Sequence, residues 1–230
     1  AMTVNRFCSS GIESMAIAGA KIAAGLLEVA VAGGVESMSL VPMGGNDFRP
    51  NPHLTRERPE VYTSMGNCGD NVARDFGISR RDMDEWALRS HQRAVAAIDA
   101  GLFEVEIVPL EVPRNGSVLR FEVDEGPRRD TSLEALAKLR PAFAASPEDG
   151  FCTAGNSSQV SDGAAALCLM SARAVERTGA KPLAAFVGYA VAADVPQYLG
   201  PAQLPAVRRA CDMAGVKVED VDLIECNEAF

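Results

Sequence analysis

A chain of 230 residues, 47% hydrophobic but only 6% aromatic, is long enough to bury a core in one large domain or two small ones. Its net charge of −9 argues against a general nucleic-acid surface, so an anionic ligand needs a local basic patch to offset that field. Six cysteines, at 8, 68, 152, 168, 211 and 226, form no CxxC pair and have no close histidine, a pattern of reduced cytoplasmic thiols rather than a disulfide frame or a metal site.

The chain opens on Thr3-Val4-Asn5-Arg6-Phe7-Cys8-Ser9-Ser10-Gly11, a strand that breaks into small residues. Ile12, Met15, Ala16, Gly19, Ile22, Ala23, Leu26 and Leu27 then recur at a helical period, and Ala and Gly elsewhere predict a helix over 12–27 buried nearly all round. Cys8 stands at the first turn of that helix, where orphan N–H groups and the positive end of the dipole favour an anion. Such a setting suits a nucleophilic thiol, although an inert buried thiol fits the same residues. Val29–Ala32 reads as a short buried strand closed by Gly33-Gly34, and the order strand, helix, strand predicts a parallel unit.

Residues 37–59 are rich in Gly, Pro, Asn and Met and read as a long loop. His53 and His91 are far apart and lack partners, weak signals for chemistry. Ser79 and Asp82 predict a capped helix stopped by Gly101, with Trp86 in the core. Residues 106–112 read as a strand that Pro109 confines to an edge. Arg128, Arg129, Lys138 and Arg140, around a short helix over 132–139, are either a solvated charged stretch or a seat for phosphates.

Thr153 to Gly163 is a run of small polar residues at the mouth of an apolar strand over 164–170, suited to close approach of a ligand or to an ordinary turn. A helix over 171–177 stopped by Gly179, a strand over 183–190, a helix over 201–214 and a strand over 221–225 complete the reading. Two sets of strand–helix units thus flank a loop-rich insertion of about 110 residues. There is no P-loop, GxGxxG or HExxH, no signal peptide, and no apolar run long enough to span a bilayer. The chain opens inside one strand and stops on Phe230 after another, so it reads as a fragment of a longer polypeptide.

The Cys8 segment, the Thr153–Gly163 turn and the terminal Asn227-Glu228-Ala229-Phe230 occur in that order, together with the runs at 31–39 and 137–143. The combination resembles the thiolases, enzymes that make or cleave β-ketoacyl-CoA, and it extends over the whole chain. The resemblance implies a five-layered α/β/α/β/α fold with an inserted loop domain, truncated at both ends. Residues 1–40 and 158–180 would belong to its N-terminal core, 41–157 to a substrate-covering loop domain, and 181–230 to the start of its C-terminal core.

The same resemblance makes Cys8 the thiol that carries the acyl group and Asn227 the asparagine that positions a water in an oxyanion site. Met65, Arg128, Phe143, Ala154, Ser158, Ala229 and Phe230 match positions that line the family's CoA channel. Coenzyme A would be a substrate, with no metal and no resident cofactor. A homodimer or homotetramer and a partner subunit in β-oxidation are implied as well. The family's GHPxGxSG histidine and second cysteine do not occur in this sequence, so the chain alone is not expected to complete a catalytic cycle. A non-catalytic acyl-CoA binder and a dimerising structural piece are the rival readings. Ser64 stands where biosynthetic members carry histidine, which leans the reading towards 3-ketoacyl-CoA cleavage in fatty-acid breakdown.

Overall fold

Helix-capping hydroxyls and left-handed glycines punctuate most of the chain. The computed structural model describes residues 1–144, 146–198 and 200–230. Its elements in chain order are α1 (Ser10–Ala23), β1 (Val29–Ser37), α2 (Pro52–Glu57), α3 (Met65–Asp75), α4 (Arg80–Asp99) and β2 (Leu110–Arg114). Then follow β3 (Ser117–Phe121), α5 (Leu133–Ala137), β4 (Asp162–Met170), α6 (Ala172–Thr178) and α7 (Gln203–Ala214). Two compact units emerge: Ala1–Arg49 with Val160–Ala192 and Gln203–Ile224, and Pro50–Gln159 with Ala193–Ala202 and Glu225–Phe230.

In the first unit α1 lies on β1 and β4, which pair from Val29 opposite Met170 to Ser37 opposite Asp162. The parallel unit predicted from the order strand, helix, strand needs a strand at residues 3–7, and those residues form none; β1 pairs antiparallel instead. Its partner comes from beyond the 110-residue insertion, so short-range order carries no sign of it. The strand also runs on through Gly33 instead of stopping there. A Cβ on Gly33 would stand 2.4 Å from the Ala165 carbonyl oxygen, so glycine is what lets the strands close up.

The first helix ends at Ala23, short of the predicted 27, and is not buried all round: Ala16 and Ala18 are covered, whereas Ile12 is 53% exposed. Ser171 caps α6, its Oγ accepting the Ala174 N–H at 3.1 Å, and Gly179 closes that helix with φ 67°. Residues 183–190 and 221–225, predicted as strands, form none, because among the described residues no strand pairs with either. The former run instead lies against α1, with the Phe186 ring 3.0 Å from where a Cβ on Gly19 would stand.

In the second unit α4 begins as predicted. Ser79 Oγ accepts the Asp82 N–H at 3.1 Å, and Asp82 Oδ2 accepts the Ser79 N–H at 2.9 Å. Gly101 follows with φ 68°. Trp86 is not core: it is 52% exposed, with the Arg89 guanidinium 4.2 Å above its ring. Of the strand predicted over 106–112 only 110–112 forms, Pro109 lying before it; these residues open one arm of a hairpin, β2–β3, whose Asn115-Gly116 turn holds φ 51° and 80°. The buried residues of this unit include Cys68, Ala73, Leu136 and Cys152, with Asp70, Asp84, Thr153 and Asn156 among them. Among the described residues no helix is long and apolar enough to cross a membrane.

Candidate active site

Cys8 belongs to the first unit and is exposed in a single 3-10 turn, Phe7–Ser9, immediately before α1. Phe7 holds φ 48°, a left-handed conformation that a bulky aromatic residue adopts only under constraint and that costs about 1–3 kcal/mol. Short-range hydrogen bonds impose it. Asn5 Oδ1 accepts the Phe7 N–H at 2.9 Å, and the Ser10 hydroxyl donates to Phe7 O at 2.7 Å while accepting the Arg6 N–H at 2.8 Å. The turn therefore presents its thiol at the N-terminal pole of a 14-residue helix, where partial positive charge gathers.

Beside it, Arg6 donates to Glu13 Oε2 at 2.7 Å and to the Tyr189 hydroxyl at 3.1 Å, and Tyr189 donates to the same carboxylate. Hydrogen bonds from Tyr189 and Arg6 hold the Glu13 carboxyl below the usual carboxylate range. Val4, Asn5, Arg6 and Glu13 line a shallow cleft of about 380 Å³. The first unit contains no histidine to act as a base for Cys8.

The remaining sequence-predicted residues lie in the second unit. Met65, half-buried, opens α3 behind Ser64, whose Oγ accepts the Asn67 N–H at 3.3 Å. The next residue, Gly66, is the seat of Phe143, since a Cβ there would fall 2.1 Å from that ring. One turn on, a Cβ at Gly69 would stand 2.7 Å from Cys152 Sγ and 3.0 Å from the Phe230 ring. Phe143 and Phe230 meet edge to face, centroids 6.0 Å apart. The Ser158 N–H donates to Ala229 O at 3.0 Å, joining the polar turn to the terminal segment. Ala154, Ser158 and Asn227 are exposed.

Arg128 sits apart from this aromatic group, beside a cleft of about 260 Å³ that also takes in Gln92, Asp99, Arg129 and Thr131. Its N–H donates to His91 Nδ1 at 3.1 Å, and its guanidinium pairs with Asp130 at 3.3 Å. Arg129 forks onto Asp99 at 2.9 and 2.6 Å. The basic cluster is thus half-neutralised: Arg129 depresses the Asp99 carboxyl and Arg128 the Asp130 carboxyl.

Sequence reasoning missed the buried polar group that shapes the turn. Asp70 Oδ1 accepts the N–H groups of Phe151 and Cys152 at 2.8 and 2.7 Å. Asn156 Oδ1 accepts the Thr153 N–H at 2.7 Å, while its amide donates to Asp84 Oδ1 at 2.9 Å and Phe151 O at 3.0 Å. Arg80 Nε holds both Asp84 oxygens, and its Nη2 reaches the Leu136 and Leu139 carbonyls. An asparagine between Gly155 and two serines reads as turn chemistry, and its helix partners lie far away in sequence. Burial and the neighbouring Asp70 push the Cys152 thiol far above the ordinary range, so this cysteine stays a protonated packing residue. Among the described residues no cluster of His, Cys, Asp and Glu has the make-up of a metal site.

The model of the thiolase N-terminal domain matches residues 1–173, and that of the thiolase C-terminal domain matches residues 180–230. A 3-ketoacyl-CoA thiolase of Bacillus subtilis is 45% identical over 240 residues, covering all of this chain and 60% of the relative. An acetyl-CoA acetyltransferase of Chromobacterium violaceum is 43% identical over 247 residues, covering all of this chain and 61% of the relative. The crystal structure of the dimeric peroxisomal thiolase of Saccharomyces cerevisiae superposes with a TM-score of 0.89 at 36% identity, over 99% of this chain and 57% of that one. The chain therefore has the α/β fold that the resemblance implies, and it spans about 60% of the length of the curated relatives it matches.

Proposed function

Because the chain belongs to the thiolase family, we propose that the protein containing it moves acyl groups between thiols, cleaving 3-ketoacyl-CoA with Cys8 as nucleophile. The observation that carries this reading is the constrained turn at Phe7, which sets an exposed thiol against the positive end of α1. Cys8 Sγ attacks the ketone carbon, and the bond to the α-carbon breaks. That leaves a Cys8 thioester and the enolate of acetyl-CoA, which takes up a proton. The thiol of a second CoA then attacks the thioester, giving an acyl-CoA two carbons shorter and restoring the thiolate. A thioester suits this relay because it remains reactive towards the incoming thiol.

Charge on the oxyanion must be met by fixed donors in a dry site. The backbone N–H of Cys8 would serve the thioester oxyanion, and a water held by Asn227 would complete a second oxyanion site. Met65, Phe143, Ala154, Ser158, Ala229 and Phe230 would line the pantetheine path, supported by the aromatic group built on Gly66 and Gly69. Arg128 would meet the phosphates at the nucleotide end. The family's GHPxGxSG histidine and second cysteine are not in these 230 residues, so the proton transfers fall to no residue of this chain.

Residues 1–40 and 158–180 would form part of the N-terminal core, 41–157 the loop domain and 181–230 the start of the C-terminal core. The boundaries of the two compact units near 49 and 160 support the limits of the loop domain, whereas the units do not set 181–230 apart from the N-terminal core. Ser64 and the Bacillus subtilis relative support the degradative direction. The dimeric yeast thiolase supports a homodimer or homotetramer, and six cysteines without a CxxC pair support a cytoplasmic setting. In the intact gene product, Cys8→Ser should lower thiolysis of acetoacetyl-CoA by more than about a thousandfold and leave CoA binding in place. Turnover retained by that variant would remove the assignment.

A further inference from the structure

We propose that Glu228 is a positioning residue: its carboxylate, clamped between Trp86 and Ser90 of α4, fixes where its neighbour Asn227 presents its amide. The inference rests on the thiolase reading of Asn227. Residues 221–230 form neither helix nor strand, so only side-chain contacts and isolated backbone bonds can hold the segment in place. Ala229 O takes one N–H from Ser158, and Phe230 leans on Phe143. Glu228 contributes the charged anchor, and it is the one adjoining Asn227.

The clamp is well matched. Glu228 Oε1 accepts the Trp86 indole N–H at 2.6 Å, and Oε2 accepts the Ser90 hydroxyl at 2.6 Å. Residues four apart lie on one face of a helix, so a single carboxylate can meet both donors. Short bonds to a charged acceptor are the stronger kind. Trp86 is itself steadied by the Arg89 guanidinium 4.2 Å above its ring. Both carboxylate oxygens are engaged, which fits a role in placement rather than in proton transfer. A displacement of about 1 Å at a group that acts on the transition state costs on the order of a hundredfold in rate. Position, then, is what this clamp supplies.

The test uses Glu228→Ala and Glu228→Gln in the intact gene product, with kcat expressed per Cys8 that accepts an acyl group. That normalisation removes any misfolded fraction. We expect kcat in Glu228→Ala to fall by about ten- to a hundredfold while KM for CoA moves less than about threefold. Glu228→Gln keeps one acceptor and should fall between it and the parent. The emission of Trp86, isolated by subtracting the spectrum of Trp86→Phe, should shift in Glu228→Ala. A parent-like kcat per loaded site in Glu228→Ala, beside an active parent, overturns the positioning role alone. No turnover in the parent overturns the thiolase reading, and the positioning role goes with it.

Discussion

Two cysteines of this chain show how surroundings divide one side chain into two uses. Cys8 is exposed at a helix start, in a turn whose strain is paid for by three local hydrogen bonds. Cys152 is fully buried beside Asp70 and is kept protonated. Arg128 is the other residue whose surroundings decide its use. Its partner Asp130 is as exposed as it is, so their pairing is weak and an incoming phosphate can displace it. Arg128→Ala should weaken CoA binding by about three- to fivefold at low salt, with the difference largely gone near about 1 M salt, where the screening length is about 3 Å. Titration calorimetry at two salt concentrations checks this, and equal affinities at low salt would reduce Arg128 to a surface charge.

Among the elements, those set by neighbouring residues were readable from the sequence. The Ser79–Asp82 box with Gly101, and Ser171 with Gly179, satisfy helix ends locally, so residue order alone reveals α4 and α6. Helix α3 was hidden because Gly66 and Gly69 lower helix propensity. Both glycines are there to seat Phe143, Phe230 and Cys152, a reason visible only once the chain has folded. The Asn115-Gly116 hairpin signal was present but lay beyond the run read as a strand.

The resemblance supplied the proposed lining residues, whereas the group that shapes the 153–163 turn depends on pairs some 70 residues apart, such as Asn156 with Asp84. That group carries a prediction. Asn156→Ala leaves the buried Thr153 N–H and one bond to Asp84 unmatched, so stability should fall by about 2–4 kcal/mol. Denaturant unfolding of the intact protein measures this, and a loss under about 1 kcal/mol would show the turn to be held by other means.

At the scale of the molecule, Cys152 ties stability to pH. An unfolded chain releases this thiol proton above about pH 8.5, while the folded state keeps it well beyond that. Above that pH the unfolded state binds fewer protons, so stability must fall as pH rises, by up to about 1.4 kcal/mol per unit from this group. Melting temperatures followed upward from pH 8 should fall less steeply in Cys152→Ser, and unchanged slopes would contradict the assignment.

The larger claim is that a thiol at the start of α1 collects acyl groups from coenzyme A. It is tested most directly by mixing the intact gene product with acetoacetyl-CoA and weighing the peptide that contains Cys8. The account predicts an acetyl adduct on that peptide, absent in Cys8→Ser and discharged when free CoA is added. An unmodified Cys8 peptide under turnover conditions, or an adduct that survives the substitution, would contradict it.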